Sequence, residues 1–345
     1  MDSIDLRSDT VTWPTPEMRE AMARAEVGDD VWGDDPTVQR LEALAAERMG
    51  QEAGLFVASG TMGNLVAILT HCRAGDEMIV GKAAHTFKYE AGGAAALGGV
   101  HPHTVPVAAD GTLDLDDIRH AIRDDDVHYP ITRLVEIENT QGTVGGIPLT
   151  AEYTQAVRAL CDEHGLLLHV DGARIWNAAA ALGVPVGDLA SPADSVTFCL
   201  SKGLCAPVGS VLCGSQDFIN RARRVRKMLG GGMRQAGVLA AAGIIAIEKM
   251  SARLHEDHAN ARRLADGLAA LDGIDLDLSR VCTNMVFFSL AESVPYGAPA
   301  LAGRLEADYN IKLDVTGERS FRAVTHYWIT PERVDAVLDA FGDVL

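Results

Sequence analysis

Lysine is scarce in this chain of 345 residues, with six, at positions 82, 88, 202, 227, 249 and 312, among thirty lysines and arginines together. Any chemistry that needs a side-chain amine therefore has few candidates. Cysteine is sparse and unpaired in pattern: residues 72, 161, 199, 205, 213 and 282 form no C-x-x-C and sit mostly in apolar segments. Reduced, buried thiols are expected, with neither a disulfide framework nor a metal site. Long apolar runs are missing too. The longest, Val238 to Ile247, is too short to span a bilayer and lies between Arg234 and Glu248. The start, Met1 to Arg7, is polar from its second residue and lacks a secretory pattern, so a cytoplasmic setting is expected. Excess positive charge is absent: the formal net charge is −18, which argues against nucleic-acid or anionic-membrane partners. There is no G-x-x-x-x-G-K-[ST] loop and no well-placed G-x-G-x-x-G, which disfavours nucleoside triphosphates and dinucleotides.

What is present is a hydrophobic fraction of 48%, enough for a sizeable core. Strand-like and helix-like runs alternate between turn signals, so the order reads as α/β. Pro16 to Ala25 and Pro36 to Met49 have helical spacing. Strands are expected at 54–58, 78–80, 104–107, 134–137, 166–170, 196–200 and 209–213, giving a mainly parallel seven-stranded sheet covered on both faces. A long helical stretch from Gln235 to about Leu271 reads as a bridge to a small α+β domain, with strands at 285–290 and 321–325 and a closing helix from Pro331. The expected division is an N-terminal arm (1–15), a large domain (16–245) and a small C-terminal domain (246–345).

Ser195-Val-Thr-Phe-Cys-Leu-Ser-Lys202-Gly203 is a strand that delivers an amine beside glycine. Leu166 to Val170 leads in the same way to Asp171-Gly-Ala-Arg174, a carboxylate and then a cation. Open α/β sheets bind ligands outside the carboxyl ends of their strands. Ser59-Gly60-Thr61 stands where a strand gives way to a helix, a place that suits an anion, although plain helix capping explains it equally well. Asp171 alone could cap a turn. Together, an amine, a carboxylate and an anion cradle match the aldehyde, ring nitrogen and phosphate of pyridoxal 5'-phosphate. His85 follows a short strand, where an imidazole could stack on a flat cofactor or simply face solvent. His128, beyond Asp124-Asp-Asp126, is equally ambiguous. Arg221 to Lys227 reads as an exposed helix face. Arg234 closes a flexible Gly230-Gly-Gly segment and suits a phosphate or carboxylate. Arg322 could hold a substrate carboxylate or pair with Glu318.

Assembled, these residues resemble the low-specificity L-threonine aldolases, fold type I (aspartate-aminotransferase-like) pyridoxal-phosphate enzymes. The motifs are Asp5-Leu-Arg-Ser-Asp-Thr-Val-Thr12, Val27-Gly-Asp-Asp30 with Gly33-Asp-Asp-Pro36, Ser59-Gly-Thr61, Glu90-Ala-Gly-Gly93, Glu138-Asn-Thr140, His169-Val-Asp-Gly-Ala-Arg174, Leu200-Ser-Lys-Gly203 and Lys227 through Gln235. They thin beyond about residue 260, apart from a block around Arg322. The resemblance implies that Lys202 carries the cofactor covalently, with Ser201 beside it, and that Asp171 meets the ring nitrogen. It implies His85 stacked on the ring and Ser59, Gly60 and Thr61 at the phosphate. Arg174 would lie near the ring hydroxyl and the substrate carboxylate, Ser8 and Arg322 would bind that carboxylate, and Arg234 would reach the phosphate of a neighbouring subunit in a homotetramer. The implied reaction is reversible cleavage of L-threonine or L-allo-threonine to glycine and acetaldehyde, with His128 or His85 as base. Alternatives are a β-eliminating lyase, racemase or aminotransferase of the same fold, or a non-catalytic cofactor-binding protein. Gln141 stands where the family often has histidine, and Trp32 where it often has tyrosine.

Overall fold

The computed structural model describes residues 3–345. Its first strand, β1 (Ile4–Asp5), belongs to the N-terminal arm. Two helices follow: α1 (Pro16–Ala23) and α2 (Pro36–Met49). The second shows how local sequence defines its bounds. Pro36 needs no N–H partner in the first turn, the Asp35 carboxylate accepts from Thr37 and Val38 N–H, and Gly50 ends the helix at φ 65°. Val38, Leu41, Ala45 and Met49 recur at helical spacing and are buried in the main core.

The large sheet contains β2 (Ala53–Val57), β3 (Asp76–Gly81), β4 (His101–Val105), β5 (Ile131–Glu138), β6 (Leu167–Asp171), β7 (Ser195–Cys199) and β8 (Ser210–Gly214). They lie in the order β2-β8-β7-β6-β5-β3-β4, and β8 alone runs against the rest. A seven-stranded, mostly parallel sheet was expected and is present. The fourth strand begins at His101, three residues before the expected Thr104, because parallel pairing to β3 runs from Glu77↔His101 to Gly81↔Val105. The polar His101 and His103 in that strand hide its apolar signal.

Because β2, β3, β5, β6 and β7 point the same way, the residues after Val57, Gly81, Glu138, Asp171 and Cys199 gather at one end of the sheet. α3 (Gly60–His71) starts at that end, directly after β2, with Ser59 Oγ capping Met62 N–H at 3.1 Å.

The long helical stretch after Gln235 is not one helix. It runs as Gly237–Ile245, a π turn over Ala246–Met250, a short 3₁₀ turn and a second helix, Leu254–Ala269. Met250 and Leu254 pack into the large core, whereas Ala261, Leu264 and Leu268, further along the second helix, pack into a second one. That second core backs a four-stranded sheet of β9 (Ile274–Asp275), β10 (Met285–Leu290), β12 (Asp314–Val315) and β13 (Ser320–Val324), all antiparallel. The helix Ala298–Tyr309 and the short β11 (Ile311–Lys312) had not been anticipated. β11 pairs in parallel with β1, and Leu6 O accepts from Val324 N at 2.8 Å. The N-terminal arm is thus stitched to the C-terminal region before it enters the cleft.

Arg221 to Lys227 lies in the helix Gln216–Met228, but it is not merely an exposed face. Arg226 is buried, pairs with Asp30 at 2.8 Å and donates to Phe56 O at 2.7 Å, while Arg221 donates to Thr70 O. All six cysteines are free and five are buried. Among the described residues, no helix is long and apolar enough to cross a membrane.

Candidate active site

A cleft of about 790 Å³ opens at the carboxyl ends of the parallel strands and is roofed by the C-terminal sheet. Ser8, His85, Glu138, Arg174, Lys202 and Arg322 are among the residues that line it.

Lys202 sits in the loop between β7 and β8, and Ser201 beside it is half-buried. Lys202 O accepts from Thr12 Oγ1 at 2.9 Å, which ties the lysine's loop to the N-terminal arm. Lys88 is the other lysine lining the cleft.

Asp171, at the last position of β6, is only 2% exposed. Its two oxygens are pinned separately, Oδ1 by Ala173 N at 3.0 Å and Oδ2 by Asn64 Nδ2 at 2.9 Å. His85 Nδ1 lies 2.9 Å from Glu90 Oε1, and that bond raises the affinity of His85 for its proton. Burial raises Glu90 against the opposing pull of His85. Ligand atoms of His85, Glu90 and Asp171 fall within 4.8 Å of one another, so the ring and the two carboxyl groups form one compact unit.

Ser59 uses its hydroxyl to cap α3, while Gly60 and Thr61 occupy the first turn, where backbone N–H groups lack helical partners. A Cβ on Gly60 would lie 2.9 Å from Cys199 Sγ and 3.7 Å from Ser210 Oγ. Ser210 Oγ is buried without a hydrogen-bond partner. A small cradle with free donors and an orphaned hydroxyl, a lysine and a fixed carboxylate fit the phosphate, aldehyde and ring nitrogen of pyridoxal phosphate.

Arg174 is less free than its motif suggests. Its Nε and Nη2 donate to Asp9 Oδ2 and Oδ1 at 2.8 and 2.6 Å, and both side chains are buried. Burial alone would raise the Asp9 carboxyl, yet Arg174 outweighs it and holds Asp9 well below the usual carboxylate range. Nη1 is left for a ligand; a Cβ on Gly142 would lie 3.5 Å from it. Asp9 had been read only as part of a motif. Its role shows once the arm is seen to enter the cleft.

Arg322 does not pair with Glu318. Its Nη2 meets Asp314 Oδ2 at 2.9 Å, since Asp314 and Arg322 are register partners between β12 and β13, and it also donates to Arg7 O at 3.2 Å. Arg322 Nε is buried and unpartnered. Ser8 Oγ accepts from Thr10 N at 3.2 Å.

Glu138, another residue quoted only within a motif, ends β5 inside the cleft. It accepts from His85 N and Gly142 N, each at 2.9 Å, and from Gln141 Nε2 at 3.1 Å. Burial, with nearby Asp171, pushes its carboxyl up to about 7. A carboxyl at a strand end facing a cleft was the signal available. Gln141, at the position that departs from the usual histidine, also donates to Ala83 O and accepts from Thr143 and Val144 N–H, organising the loop that follows.

Two candidates are not brought to this cleft by their own chain. His128 precedes β5 by three residues, so it lies at the opposite end of the sheet, 82% exposed and bonded to Asp126 at 2.6 Å. As a base for its own chain's cleft it is misplaced, because the strand between them carries the backbone away. Arg234 is half-exposed and pairs with Asp29 at 2.9 Å.

The fold is that of aminotransferase-like α/β enzymes. Consistent with that class, a threonine aldolase of Leishmania major superposes with a TM-score of 0.82 at 23% identity, covering 98% of this chain and 99% of that one. An alanine–glyoxylate aminotransferase from Nostoc sp. superposes with a TM-score of 0.74 at 21% identity, covering 99% and 95%. The chain belongs to the beta-eliminating lyase family, whose model matches residues 5–292, and it is similar throughout its length to curated low-specificity L-threonine aldolases. Low-specificity L-threonine aldolase 1 of Arabidopsis thaliana is 50% identical over 348 residues, covering 100% of this chain and 97% of that protein. The low specificity L-threonine aldolase of Escherichia coli K12 is 48% identical over 334 residues, covering 97% of each. The match with the plant protein continues past residue 260, where recognisable motifs become few.

Proposed function

We propose that this chain is a low-specificity L-threonine aldolase, an aldehyde-lyase that reversibly cleaves L-threonine and L-allo-threonine to glycine and acetaldehyde with pyridoxal 5'-phosphate. The observation that carries the reading is the meeting of Lys202, Asp171, His85 and the Gly60–Thr61 cradle at one end of the parallel sheet, in a chain half identical to named aldolases over its full length.

When bound, pyridoxal phosphate supplies a sink for the electron pair released at Cα. Lys202 is its covalent anchor, Asp171 faces its ring nitrogen, and the first turn of α3 holds its phosphate. Arg174, through the nitrogen that Asp9 leaves free, clamps the substrate carboxylate with Arg322 and Ser8. Holding the carboxylate directs Cα–Cβ instead of Cα–H to the orientation in which it breaks. The β-hydroxyl proton needs an acceptor in the cleft; His85 and Glu138 line it, whereas the Asp314 carboxylate that also lines it is paired with Arg322. Glu138, with its carboxyl pushed up to about 7, can take a proton while one backbone N–H steadies each of its oxygens, His85 N at Oε2 and Gly142 N at Oε1.

The chain works as a homotetramer in the cytoplasm. Arg234 extends to a neighbour's phosphate, and Trp32, 78% exposed, marks the same surface region. Light scattering on the purified protein tests the assembly; a monomer would remove that role of Arg234. The activity is tested by supplying L-threonine to cofactor-loaded protein. Equimolar glycine and acetaldehyde are expected, and 2-oxobutyrate in their place would assign a β-elimination instead.

A further inference from the structure

Behind Asp171 runs a line of buried polar side chains that the chemistry above does not use. Three periodicities build it. Asn64 and His71 are seven residues apart on α3 and so share a face. His169 and Asp171 are two apart on β6 and point to the same side of the sheet. Ser195 is the register partner of His169 on β7. Gly63 lets the helix come close enough: a Cβ there would lie 2.5 Å from Thr197 Cγ2.

The contacts are continuous. His71 Nε2 is 2.8 Å from Ser195 Oγ, and Ser195 Oγ is 2.8 Å from His169 Nδ1. His169 Nε2 is 3.2 Å from Asn64 Oδ1. Asn64 Nδ2 then donates to Asp171 Oδ2 at 2.9 Å and to Glu90 Oε1 at 3.0 Å, and Glu90 Oε1 meets His85 Nδ1. Asn64, His169 and Ser195 are all buried.

Donor and acceptor chemistry leaves one orientation. Two carboxyl groups face Asn64, so its NH₂ turns toward them and its oxygen must accept. His169 therefore carries its proton on Nε2 and accepts on Nδ1, where the Ser195 hydroxyl donates. Ser195 in turn accepts from His71 Nε2–H. Burial supports this arrangement, since it pushes both imidazoles down to about 3 and keeps them neutral. Every bond in the line points its hydrogen toward Asp171.

We infer that Asn64, oriented by His169 and Ser195, is a positioning residue that locks the Asp171 carboxylate toward the cofactor's ring nitrogen and ties it to the Glu90–His85 pair. The inference rests on the reading that Asp171 meets that nitrogen. Without the line the Asn64 amide can rotate, Asp171 loses one of its two pins, and the ring nitrogen holds its proton less firmly.

The test uses holoenzyme loaded with cofactor carrying ¹⁵N at the ring nitrogen, and compares wild type with His169→Leu, His169→Gln and Ser195→Ala. Glutamine keeps an N–H near the place of Nε2; leucine does not. In wild type and His169→Gln the ¹⁵N resonance is expected at the protonated position. In His169→Leu it moves toward the unprotonated position, and kcat falls about tenfold with KM changed by no more than about twofold, the size of one hydrogen bond to a charged group. Ser195→Ala gives a smaller change of the same sign and serves if His169→Leu does not fold. An unchanged resonance and kcat in both His169→Leu and Ser195→Ala, with wild type loaded normally, overturns the inference alone. A wild-type protein that binds no cofactor overturns the functional reading beneath it.

Discussion

The two ends of the large sheet hold the candidate site residues differently. At the carboxyl ends of the strands, Glu138 and Asp171 are buried and held by named donors, and Lys202 stands over a loop tied to the N-terminal arm. At the other end, His128 is bound only to its neighbour Asp126 and faces solvent. The seven preceding residues of β5, from Ile131, separate Glu138 from that end, roughly 23 Å of extended chain at about 3.3 Å per residue. Strand direction alone sorts the candidates, because a parallel sheet collects its ligands at one end.

The largest effects should come from the buried end. Lys202→Ala should abolish cofactor attachment and reduce turnover to background, read from the visible absorption band and the product assay. Turnover persisting in that variant would shift the chemistry to another amine.

Asp9→Asn should come next. It leaves Arg174 buried without its counter-charge, and breaking such a pair typically costs about 3–5 kcal/mol. Thermal melting should fall and KM for threonine should rise. Asp9 binds its proton less tightly in the folded state than in the unfolded one. Its stabilisation is therefore complete above the ordinary value of 3.8 and declines as pH falls below it. The variant should lack that acid-dependent part of the melting curve.

Glu138→Gln has two readouts. As the proton acceptor its loss should lower kcat by about 10²- to 10⁴-fold. For stability the sign is opposite to that of Asp9: the folded state binds this proton more tightly, so wild type should lose stability relative to the variant as pH rises from 4.5 to about 7. If kcat is retained, His85 is the acceptor.

His128→Ala should have the smallest effect, within about 0.5 kcal/mol on stability, as for surface substitutions generally, and none on cofactor loading. Loss of turnover in this variant would show that the histidine serves the cleft of another copy and would redraw the contrast between the two ends.

Much of this was legible before the fold was seen. Lys202 and Asp171 each close an apolar strand, and the alternation of strands and helices implied the sheet that gathers them. His128 comes before a strand, so strand direction, legible in the sequence, places it at the end of its own chain's sheet away from the cleft. The pairing of Ile4–Asp5 with Ile311–Lys312 could not be read, since two-residue strands have no periodicity and their partners are some 300 positions apart. Asp9 and Glu138 were quoted in motifs without roles, because what they do depends on burial and on one partner each, Arg174 and the Gly142 loop. The line from His71 to Asp171 escaped for a similar reason. Its members are spaced correctly on a helix and two strands, but only the register His169↔Ser195 and the close approach at Gly63 join them.

The central claim is that one lysine, in the loop after β7, holds the cofactor. Borohydride reduction of cofactor-loaded protein followed by peptide mapping tests it directly. A single label on Lys202 is the predicted result; a label on Lys88, the other lysine that lines the cleft, or on none, would contradict it.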